Sequence, residues 1–452
     1  MIQETLLQMG FWTAWLVIPA FFELLVALWG WWHIHFKPVA VPSGEVPGRM
    51  PQVTIILPVY NAAGTLAACL RSIARCDYPN ELITVICANN QSTDDSWRVY
   101  QTMQKELRDL RLQWLEGPQR GKAQALNMAI YASSGDYVVT MDSTGLLGKH
   151  ALKNFIHNFM LDPAVQAQTG AVLCNRKLIE ADRHHRWMHH SEYLAHAIAF
   201  LAGRTAESQT DQLITLSGAL AAFRRSALMQ SRMYSVETVG VATDMAFQIR
   251  YYLKGKVILC PTAVFYAPPA PNWAALNAKY QRWQRGEIEV IRAFLATKLS
   301  LTGLFANFLV RRLLLDHTMA LLKVGWLVMG GLLLGLGYPG QLVGLSFAFV
   351  YLLYLWIAGL NLSNVLFYLR FDRTERNYCD RHWWTFFTLP LYQLVTDLFR
   401  LSGLINGLSP AARRKKSRPI GEKRVKNGLK PVKIAKEWRK WKNGTATACI
   451  FT

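Results

Sequence analysis

The chain has 452 residues, of which 52% are apolar, 12% aromatic and only 17% charged. This composition is too apolar for an ordinary soluble protein, and the length allows a large soluble domain together with a membrane domain. The seven cysteines are scattered and include no CxxC pair, a pattern that fits a reducing compartment and argues against a zinc site or a disulfide framework.

The net charge of +21 is concentrated near the end of the sequence. Between Arg413 and Lys442 there are 14 Lys and Arg residues and two Glu residues, so this stretch alone carries +12. A basic run beside apolar helices favours contact with the anionic inner leaflet of a membrane. Nucleic acid is the weaker interpretation, because no aromatic and basic groove or recognised binding fold accompanies the run.

The first element is an apolar stretch from Gly10 to Trp32. It exceeds the roughly 20 residues that span a bilayer, and tryptophans cluster at both of its ends, as interfacial anchors do. A signal peptide is disfavoured, because no basic region precedes the stretch and no small-residue cleavage site follows it. We expect Glu23, inside the stretch, to face a protein neighbour rather than lipid.

After a Pro- and Gly-rich linker (Pro38 to Pro51), short apolar runs alternate with helical patterns. The predicted strands run from Val53 to Leu57, Leu82 to Ala88, Leu112 to Leu115 and Tyr137 to Met141, and the predicted helices from Thr65 to Ala74, Ser96 to Leu107 and Ala123 to Ser133. Continuous apolar runs are typical of strands buried on both faces. The alternation predicts an α/β fold with a doubly wound, mostly parallel sheet.

The later part of the chain is apolar and basic. From Asn272 to Lys298 the pattern is that of an amphipathic helix along a membrane face. Further apolar segments run from Leu313 to Leu336, Gln341 to Leu366 and Trp383 to Leu404. The loop from Arg370 to Arg381 carries four arginines, and basic loops stay cytoplasmic. The soluble domain, this loop and the tail would then lie on the same side, so the chain must cross the membrane an even number of times between the domain and the tail. Asp397 and Arg400 make the last segment the best candidate for a re-entrant or interfacial helix.

The stretch from Gly135 to Gly145 ends a buried strand on Asp142. In an open α/β sheet, ligands bind at the carboxyl edge. A second carboxylate two residues later would complete a clamp that holds a divalent metal against a diphosphate. That position is Thr144, so half of such a clamp is present.

Two polar motifs follow the first two predicted strands. The turn Pro58-Val-Tyr60-Asn61 can cradle a nucleobase, or it can simply end the strand. Asn89 can hydrogen-bond a uracil or ribose edge, although less strongly than a carboxylate. A residue from Ser92 to Asp94 can cap the helix that begins near Ser96.

A third motif, Gly121-Lys122-Ala-Gln-Ala-Leu-Asn127, opens a helix. A glycine and a cation at the positive end of a helix suit a phosphate. A lone Gly-Lys pair lacks the P-loop spacing, so an ordinary helix start is the alternative.

Taken in order, PVYN, NNxSTDD, GKxxALN and GDYVVTMDS resemble the nucleotide-binding domain of family 2 glycosyltransferases. The flanking apolar segments resemble the processive, membrane-embedded branch, which includes synthases of cellulose, hyaluronan and poly-N-acetylglucosamine. The resemblance covers Val53 to Arg312. Within the family, the resemblance is to a Gram-positive branch associated with exosortase-type loci, on the strength of the motifs ETVGxxTDMAFQIR, LKGKV and QRWQRGE.

The resemblance implies a glycosyltransferase A-type fold and a bacterial, multi-pass membrane protein. Its parts would be an N-terminal transmembrane helix (1–36), a cytoplasmic glycosyltransferase domain (37–270), amphipathic interface helices (271–312), a transmembrane region (313–408) and a basic cytoplasmic tail (409–452).

The resemblance also implies residue roles. Tyr60 and Asn89 would contact uridine, while Lys122 and Asp142 would lie near the diphosphate, with Asp142 also touching Mg²⁺ or Mn²⁺. The implied nucleotide-sugar site comprises Pro58, Tyr60, Asn61, Asn89, Lys122, Asn127, Asp142, Thr144 and Arg282. The implied acceptor site comprises Ser217, Gly218, Trp283 and Arg285. Lys279, Arg282 and Trp283 match the (Q/R)xxRW signature with Lys in the place of Gln, and a basic interfacial helix is the alternative interpretation.

The sequence departs from the family at four positions. Aligned by the helix that follows, Val241 and Ala242 take the place of the Glu-Asp pair that carries the general base; a second alignment makes Asp244 the base. Asn89, Thr144 and Lys279 replace Asp, Asp and Gln. Loss of a general base costs about 10²–10⁴-fold in rate.

Two hypotheses follow. The first is a membrane-bound enzyme that transfers a sugar from a UDP-sugar, with inversion, to a growing surface polysaccharide or glycolipid. Asp142 and Asp244 would be catalytic, and other synthesis subunits would be partners. The alternative is an inactive pseudo-glycosyltransferase that binds nucleotide or glycan and supports an active synthase. A lipid- or nucleic-acid-binding protein led by the basic tail is a weaker third interpretation, and we expect no nucleic-acid partner.

Overall fold

The computed structural model describes residues 21, 23–36, 49–117, 119–211, 213–295 and 308–408. At its centre is one eight-stranded sheet with the order β3-β2-β1-β4-β7-β6-β8-β5. The strands are β1 (Val53–Val59), β2 (Ile83–Asn89), β3 (Arg111–Glu116), β4 (Tyr137–Met141), β5 (Leu146–Leu147), β6 (Val165–Cys174), β7 (Leu220–Arg224) and β8 (Lys256–Ala267).

Helices connect and cover these strands. They are α1 (23–36), α2 (Leu66–Ala74), α3 (Ser96–Glu106), α4 (Lys122–Ala132), α5 (Ala151–Leu161), α6 (Arg176–Ala181), α7 (Arg186–Ala197), α8 (Arg204–Gln209), α9 (Arg225–Gln230), α10 (Val241–Phe247), α11 (Trp273–Leu295), α12 (Phe308–Gly335), α13 (Gly340–Tyr368), α14 (Arg373–Arg381) and α15 (Thr385–Leu408). Segments of π-helix join α7 to α8 (Ile198–Gly203) and extend α10 (Gln248–Tyr252).

The first half of the sheet is parallel, as the sequence predicts. Strand β1 pairs with β2 and with β4, and β2 pairs with β3. The register places Val53 beside both Ile83 and Tyr137, and Asn89 beside Glu116. The carboxyl ends of these four strands therefore meet at one edge.

The second half makes the sheet mixed rather than mostly parallel. Strand β7 runs antiparallel to both β4 and β6, and β5 runs antiparallel to β8. Leu220 at the start of β7 pairs with Met141 at the end of β4. The turn before β7 consequently reaches the same edge as Asp142, which a purely parallel arrangement would not achieve.

Helices cover both faces of the sheet, which is the doubly wound arrangement that the sequence predicts. Ile55 on β1 belongs to a core shared with Leu70 of α2 and Phe155 of α5. The next residue, Ile56, points to a second core that contains Leu126 of α4. All five are at most 3% exposed, and burying one such side chain stabilises the fold by about 1.5–3 kcal/mol.

One described helix, α13, is long and apolar enough to cross a membrane, and a shorter apolar stretch runs from Leu321 to Gly335. On α13, four large side chains are between 50% and 66% exposed: Leu345, Phe349, Leu352 and Trp356. Their spacing of four, three and four residues places them on one face of the helix.

Charged residues on α1, α12 and α15 pair with one another. Glu23 lies 3.1 Å from Lys323, so the expectation that it faces a protein neighbour is confirmed. Asp397 lies 3.6 Å from Lys323 and 3.7 Å from Arg400. The predicted span before residue 21, the 296–307 part of the predicted interface helix and the basic tail lie outside the described residues.

Candidate active site

A pocket opens where β1 and β4 end and β7 begins. It is lined by Pro58, Lys122, Leu126, Thr140, Met141, Ser217, Gly218, Tyr234, Val241 and Ala242. Three of these, Pro58, Lys122 and Ala242, come from sequence motifs that are far apart in the chain. The sheet thus brings the predicted nucleotide, phosphate and acceptor elements to one place.

Lys122 links the end of β4 to the start of β7 at this pocket. Its ammonium group donates to the Asp142 carboxylate and, at 3.2 Å, to the carbonyl oxygen of Gly218. The main-chain N–H of Asp142 donates to the carbonyl of Ala219 at 3.1 Å. The side chains of Lys122 and Asp142 are 38% and 34% exposed, so the ion pair faces the pocket opening.

The N-terminus of α4 lies beside this ion pair, because Lys122 is its first residue. Gly121 precedes the helix and provides no side-chain cap, and the first-turn N–H groups of a helix have no intrahelical acceptors. The amide oxygen of Asn90 accepts the N–H of Gly121 and fixes the turn. These N–H groups and the Lys122 ammonium form a site for an anionic group. Asn90 was not singled out from the sequence.

The predicted nucleobase side is built from the Pro58–Asn61 turn. The Tyr60 side chain is 41% exposed, and the guanidinium carbon of Arg120 lies 4.5 Å from its ring centroid. Arg120 also donates to the Tyr60 hydroxyl. An exposed ring backed by a cation offers a flat face for stacking a base. Sequence reasoning does not identify Arg120, because it belongs to no motif.

Asn61 holds this turn against the loop that follows β2. It has a positive φ of 47°, a conformation that asparagine tolerates better than most residues. Its side-chain oxygen accepts the N–H of Thr93 at 2.9 Å, and its own N–H donates to the Ser92 hydroxyl at 3.1 Å. Asp94 accepts the N–H of Ser96 at 3.1 Å and that of Ala63 at 2.9 Å. Of the predicted capping candidates, Asp94 therefore supports the start of α3.

Asn89 is buried, with 7% of its surface exposed, and both the nitrogen and the oxygen of its side-chain amide form hydrogen bonds. The amide nitrogen donates to Glu116 at 2.7 Å, and the oxygen accepts the N–H of Ser92 at 3.0 Å. Glu116 also accepts from the Trp114 indole at 2.6 Å. A carboxylate is thus present beside Asn89 after all, supplied by β3. Since Glu116 directly follows a predicted strand as Asn89 does, the same rule applied to the third strand identifies it.

Gly117 is required by this arrangement. A Cβ atom there would lie 2.6 Å from the carbonyl oxygen of Asn89, and the Gly117 N–H donates to that oxygen at 3.1 Å. A side chain at position 117 would push the strand ends apart.

Asn127 is engaged with the main chain of Tyr234. Its amide oxygen accepts the Tyr234 N–H and its amide nitrogen donates to the Tyr234 carbonyl, both at 2.9 Å. This double contact holds the Tyr234 segment over the pocket. The predicted role of Asn127 in nucleotide binding stays a prediction.

The predicted acceptor side is formed by the turn before β7 and the start of α10. The Ser217 N–H donates to the Thr169 hydroxyl at 2.9 Å, and the Ser217 hydroxyl accepts the Ala219 N–H at 3.2 Å. The Cβ of Ala242 lies 3.8 Å from where a Cβ on Gly218 would stand. Position 242 consequently faces the pocket without a functional group.

Asp244 occupies a different environment. It is 6% exposed, does not line the pocket, and accepts a hydrogen bond from Gln248 at 2.8 Å. Burial raises the pKa of Asp244, and the Gln248 hydrogen bond partly opposes this rise. Ala242 lines the pocket and Asp244 does not; both alignments of the general base, at Ala242 or at Asp244, stay predictions.

The residues present do not fit the predicted Mg²⁺ or Mn²⁺ clamp. Divalent cations of this type need several hard oxygen ligands. Asp142 is already paired with Lys122, and Thr144 presents an exposed hydroxyl in place of a carboxylate. None of the ten pocket-lining residues is Asp, Glu, His or Cys.

The (Q/R)xxRW-like segment lies on α11. Arg282 and Arg285 are exposed, and Arg285 pairs with Glu289 at 3.1 Å. Lys279 turns inward, where its ammonium lies 2.8 Å from Glu192, 3.0 Å from His196 and 5.0 Å from the Trp283 ring centroid. Lys279 is therefore an internal ion-pair residue rather than a pocket residue.

Cys174, Glu192 and His196 are all buried, and their ligand atoms lie within 4.8 Å of one another, close enough to hold a metal ion. The Lys279 ammonium already lies against two of the three groups. Burial and Lys279 lower the pKa of His196, and burial and Glu192 raise that of Cys174. The cluster is a neutral imidazole and thiol beside a buried ion pair. The six described cysteines are buried free thiols.

The structure shows an α/β domain with a pocket at the strand ends, lined in part by α10 and the turn before β7. Residues 54–232 match the model of glycosyl transferase family 2. This part of the chain is therefore similar to glycosyl transferase family 2.

Two curated relatives agree with this assignment. The chain is 27% identical over 249 residues to a poly-beta-1,6-N-acetyl-D-glucosamine synthase of Staphylococcus aureus, covering 54% of this chain and 57% of the relative. It is 29% identical over 195 residues to an N-acetylglucosaminyltransferase of Rhizobium sp., covering 42% and 41%. The chain thus spans less than two thirds of either relative.

The fold is shared with a mannosyltransferase of Pyrobaculum calidifontis, solved in complex with GDP-Man and Mn²⁺. The TM-score is 0.54 at 17% identity, over 88% of this chain and 99% of that one. This likeness concerns the fold.

Proposed function

We propose that the protein is a membrane-bound glycosyltransferase that moves a sugar from a UDP-sugar to a growing surface polysaccharide or glycolipid, with inversion at the anomeric carbon. The observation that carries the proposal is the contact of Lys122 with Asp142 and Gly218. It unites the phosphate motif, the strand-end acid and the acceptor turn in one pocket.

The donor fits this pocket in a defined direction. The base stacks on Tyr60 and meets the edge formed by Asn89 and Glu116, which are joined at 2.7 Å. The diphosphate lies at the N-terminus of α4, where Lys122 neutralises its charge. The sugar then points toward Gly218 and Ala242, where the acceptor hydroxyl attacks from the side opposite the leaving diphosphate and so inverts the anomeric centre.

Removal of the acceptor proton is the weak step in this scheme. Ala242 has no carboxylate, and Asp244 is buried and held by Gln248. A positioned general base contributes about 10²–10⁴-fold in rate. We therefore expect turnover to be slow by about this factor relative to a glycosyltransferase that carries an aspartate at the equivalent of position 242.

Attachment to a bacterial cell membrane is supported by the exposed apolar face of α13. Leu345 and Leu352 are 66% and 60% exposed, and a face of this kind is stable against lipid but not against water. The pairing of Glu23 and Asp397 with Lys323 satisfies charges that lipid would not tolerate. We propose several crossings, with the glycosyltransferase domain and the basic tail on the cytoplasmic side and other synthesis subunits as partners.

The test is release of UDP by the full chain in lipid nanodiscs, supplied with a panel of UDP-sugars and a lipid or oligosaccharide acceptor. Release should exceed that of the Asp142→Asn variant with at least one donor. The absence of release above this variant with every donor, while a related synthase prepared in the same way is active, would contradict the proposal.

A further inference from the structure

The ion pair between Lys122 and Asp142 lies where a divalent cation would be expected in a site of this type. The ammonium contacts one carboxylate and one carbonyl oxygen, Gly218, at the mouth of the pocket. Carboxylate and carbonyl oxygens are the groups that coordinate a hard cation. In this protein a side chain of the chain itself occupies that position.

The charge of the site disfavours a metal in addition to Lys122. Asp142 carries one negative charge and Lys122 one positive charge, so the pair is neutral before a ligand binds. A divalent cation would have to displace the ammonium and then remain beside it. A nucleoside diphosphate, by contrast, brings several negative charges to Lys122 and to the N–H groups of α4.

Other described residues do not provide an alternative metal clamp here. Thr144 has an exposed hydroxyl, and the pocket lining contains no Asp, Glu, His or Cys. Among the described residues, the group of side chains that could hold a metal is Cys174, Glu192 and His196. That group is buried and is already in contact with the Lys279 ammonium.

We infer that this pocket binds its nucleoside diphosphate donor without a divalent metal, and that the Lys122 ammonium supplies the positive charge that a metal supplies elsewhere. This inference rests on the proposed function, because it concerns the same donor site. It adds that nucleotide affinity is independent of Mg²⁺ and Mn²⁺ and depends on Lys122.

The first experiment measures UDP binding to the full chain in nanodiscs by calorimetry, with EDTA and again with excess Mn²⁺. The two affinities should be nearly equal. Lys122→Gln should weaken binding in EDTA by about 10- to 100-fold, the range for loss of a hydrogen bond to a charged group. Lys105→Gln, a matched change on the exposed side of α3, should have no effect.

The outcomes separate the inference from the proposed function. Binding that requires Mn²⁺ would overturn the inference and leave the proposed function standing. No binding in either condition would overturn both. If the unaltered chain binds UDP equally well in EDTA and in Mn²⁺, but the Lys122→Gln variant binds just as tightly, the role assigned to Lys122 is wrong.

A second experiment detects bound Mn²⁺ directly and does not depend on turnover. Electron paramagnetic resonance of Mn²⁺ should show no specific site in the unaltered chain without nucleotide. The double variant Lys122→Gln, Thr144→Asp removes the ammonium and restores a second carboxylate, so it should gain a Mn²⁺ site and metal-dependent UDP binding. A specific Mn²⁺ site at Asp142 in the unaltered chain, abolished by Asp142→Asn, would refute the inference. Circular dichroism confirms that each variant is folded.

Discussion

The buried ion pair between Glu192 of α7 and Lys279 of α11 should hold the (Q/R)xxRW-like helix in place. Glu192 is fully buried, and its two carboxylate oxygens accept from Lys279 at 2.8 Å and from the Ala270 N–H at 2.9 Å. Lys279→Met leaves this carboxylate without its cation. Removing one partner of a buried pair costs about 3–5 kcal/mol, so we expect a loss of unfolding free energy in that range.

Glu192→Gln should cost a similar amount, whereas the double variant should cost much less than the sum, because no uncompensated charge is left behind. The assay is denaturant unfolding of the full chain in detergent micelles, followed by tryptophan fluorescence. The control is Arg71→Met, which breaks an exposed pair with Glu106 in which both side chains are 42% exposed; it should cost less than about 1 kcal/mol. If Lys279→Met is no more damaging than Arg71→Met, the reasoning fails.

Two further predictions concern catalysis and pH. Ala242→Asp, alone or with Val241→Glu, should raise UDP release by about 10²–10⁴-fold, because position 242 lines the pocket; Thr243→Asp is the matched control, and equal rates for the two variants would contradict the assignment. Burial and the neighbouring His382 ring lower the pKa of His190 from 6.5 to about 4, so below pH 6.5 the unfolded chain takes up the proton more readily than the folded chain. Stability should therefore fall by about 2 kcal/mol between pH 7 and pH 5, His190→Gln should remove most of this fall in thermal unfolding midpoints, and an unchanged pH dependence would refute it.

The first four strands could be predicted from the sequence because their signals are local. The run from Val53 to Leu57 is apolar without interruption, and the strand from Tyr137 to Met141 was predicted with the bounds it has in the structure. The polar residues that follow each strand meet because parallel strands end at one edge, which is a rule of the fold rather than of any one residue.

The second half of the sheet could not be predicted in the same way. Strand β7 pairs with β4 across about 80 residues of sequence, Leu220 with Met141, and no local pattern specifies an antiparallel partner. The same limit applies to Lys279. Its partner Glu192 lies 87 positions away, so the sequence pattern showed a missing glutamine but not the ion pair that accompanies it.

The same distinction between local and long-range signals applies to the site residues. The sequence pointed to Lys122 and Asp142 because each belongs to a motif with a known geometry. Sequence reasoning does not identify the role of Glu116, because its hydrogen bond with Asn89 depends on the register of β2 and β3. It does not identify the role of Asn90, because the hydrogen bond of Asn90 with Gly121 depends on how a loop packs.

The hydrogen bonds between the Tyr60–Asn61 turn and the loop after β2 hold the turn in place through contacts within the protein. Asn61 binds the main chain of Thr93, and Asp94 binds that of Ala63, so the wall that carries Tyr60 is assembled before any ligand binds. A wall assembled in advance costs little ordering on binding.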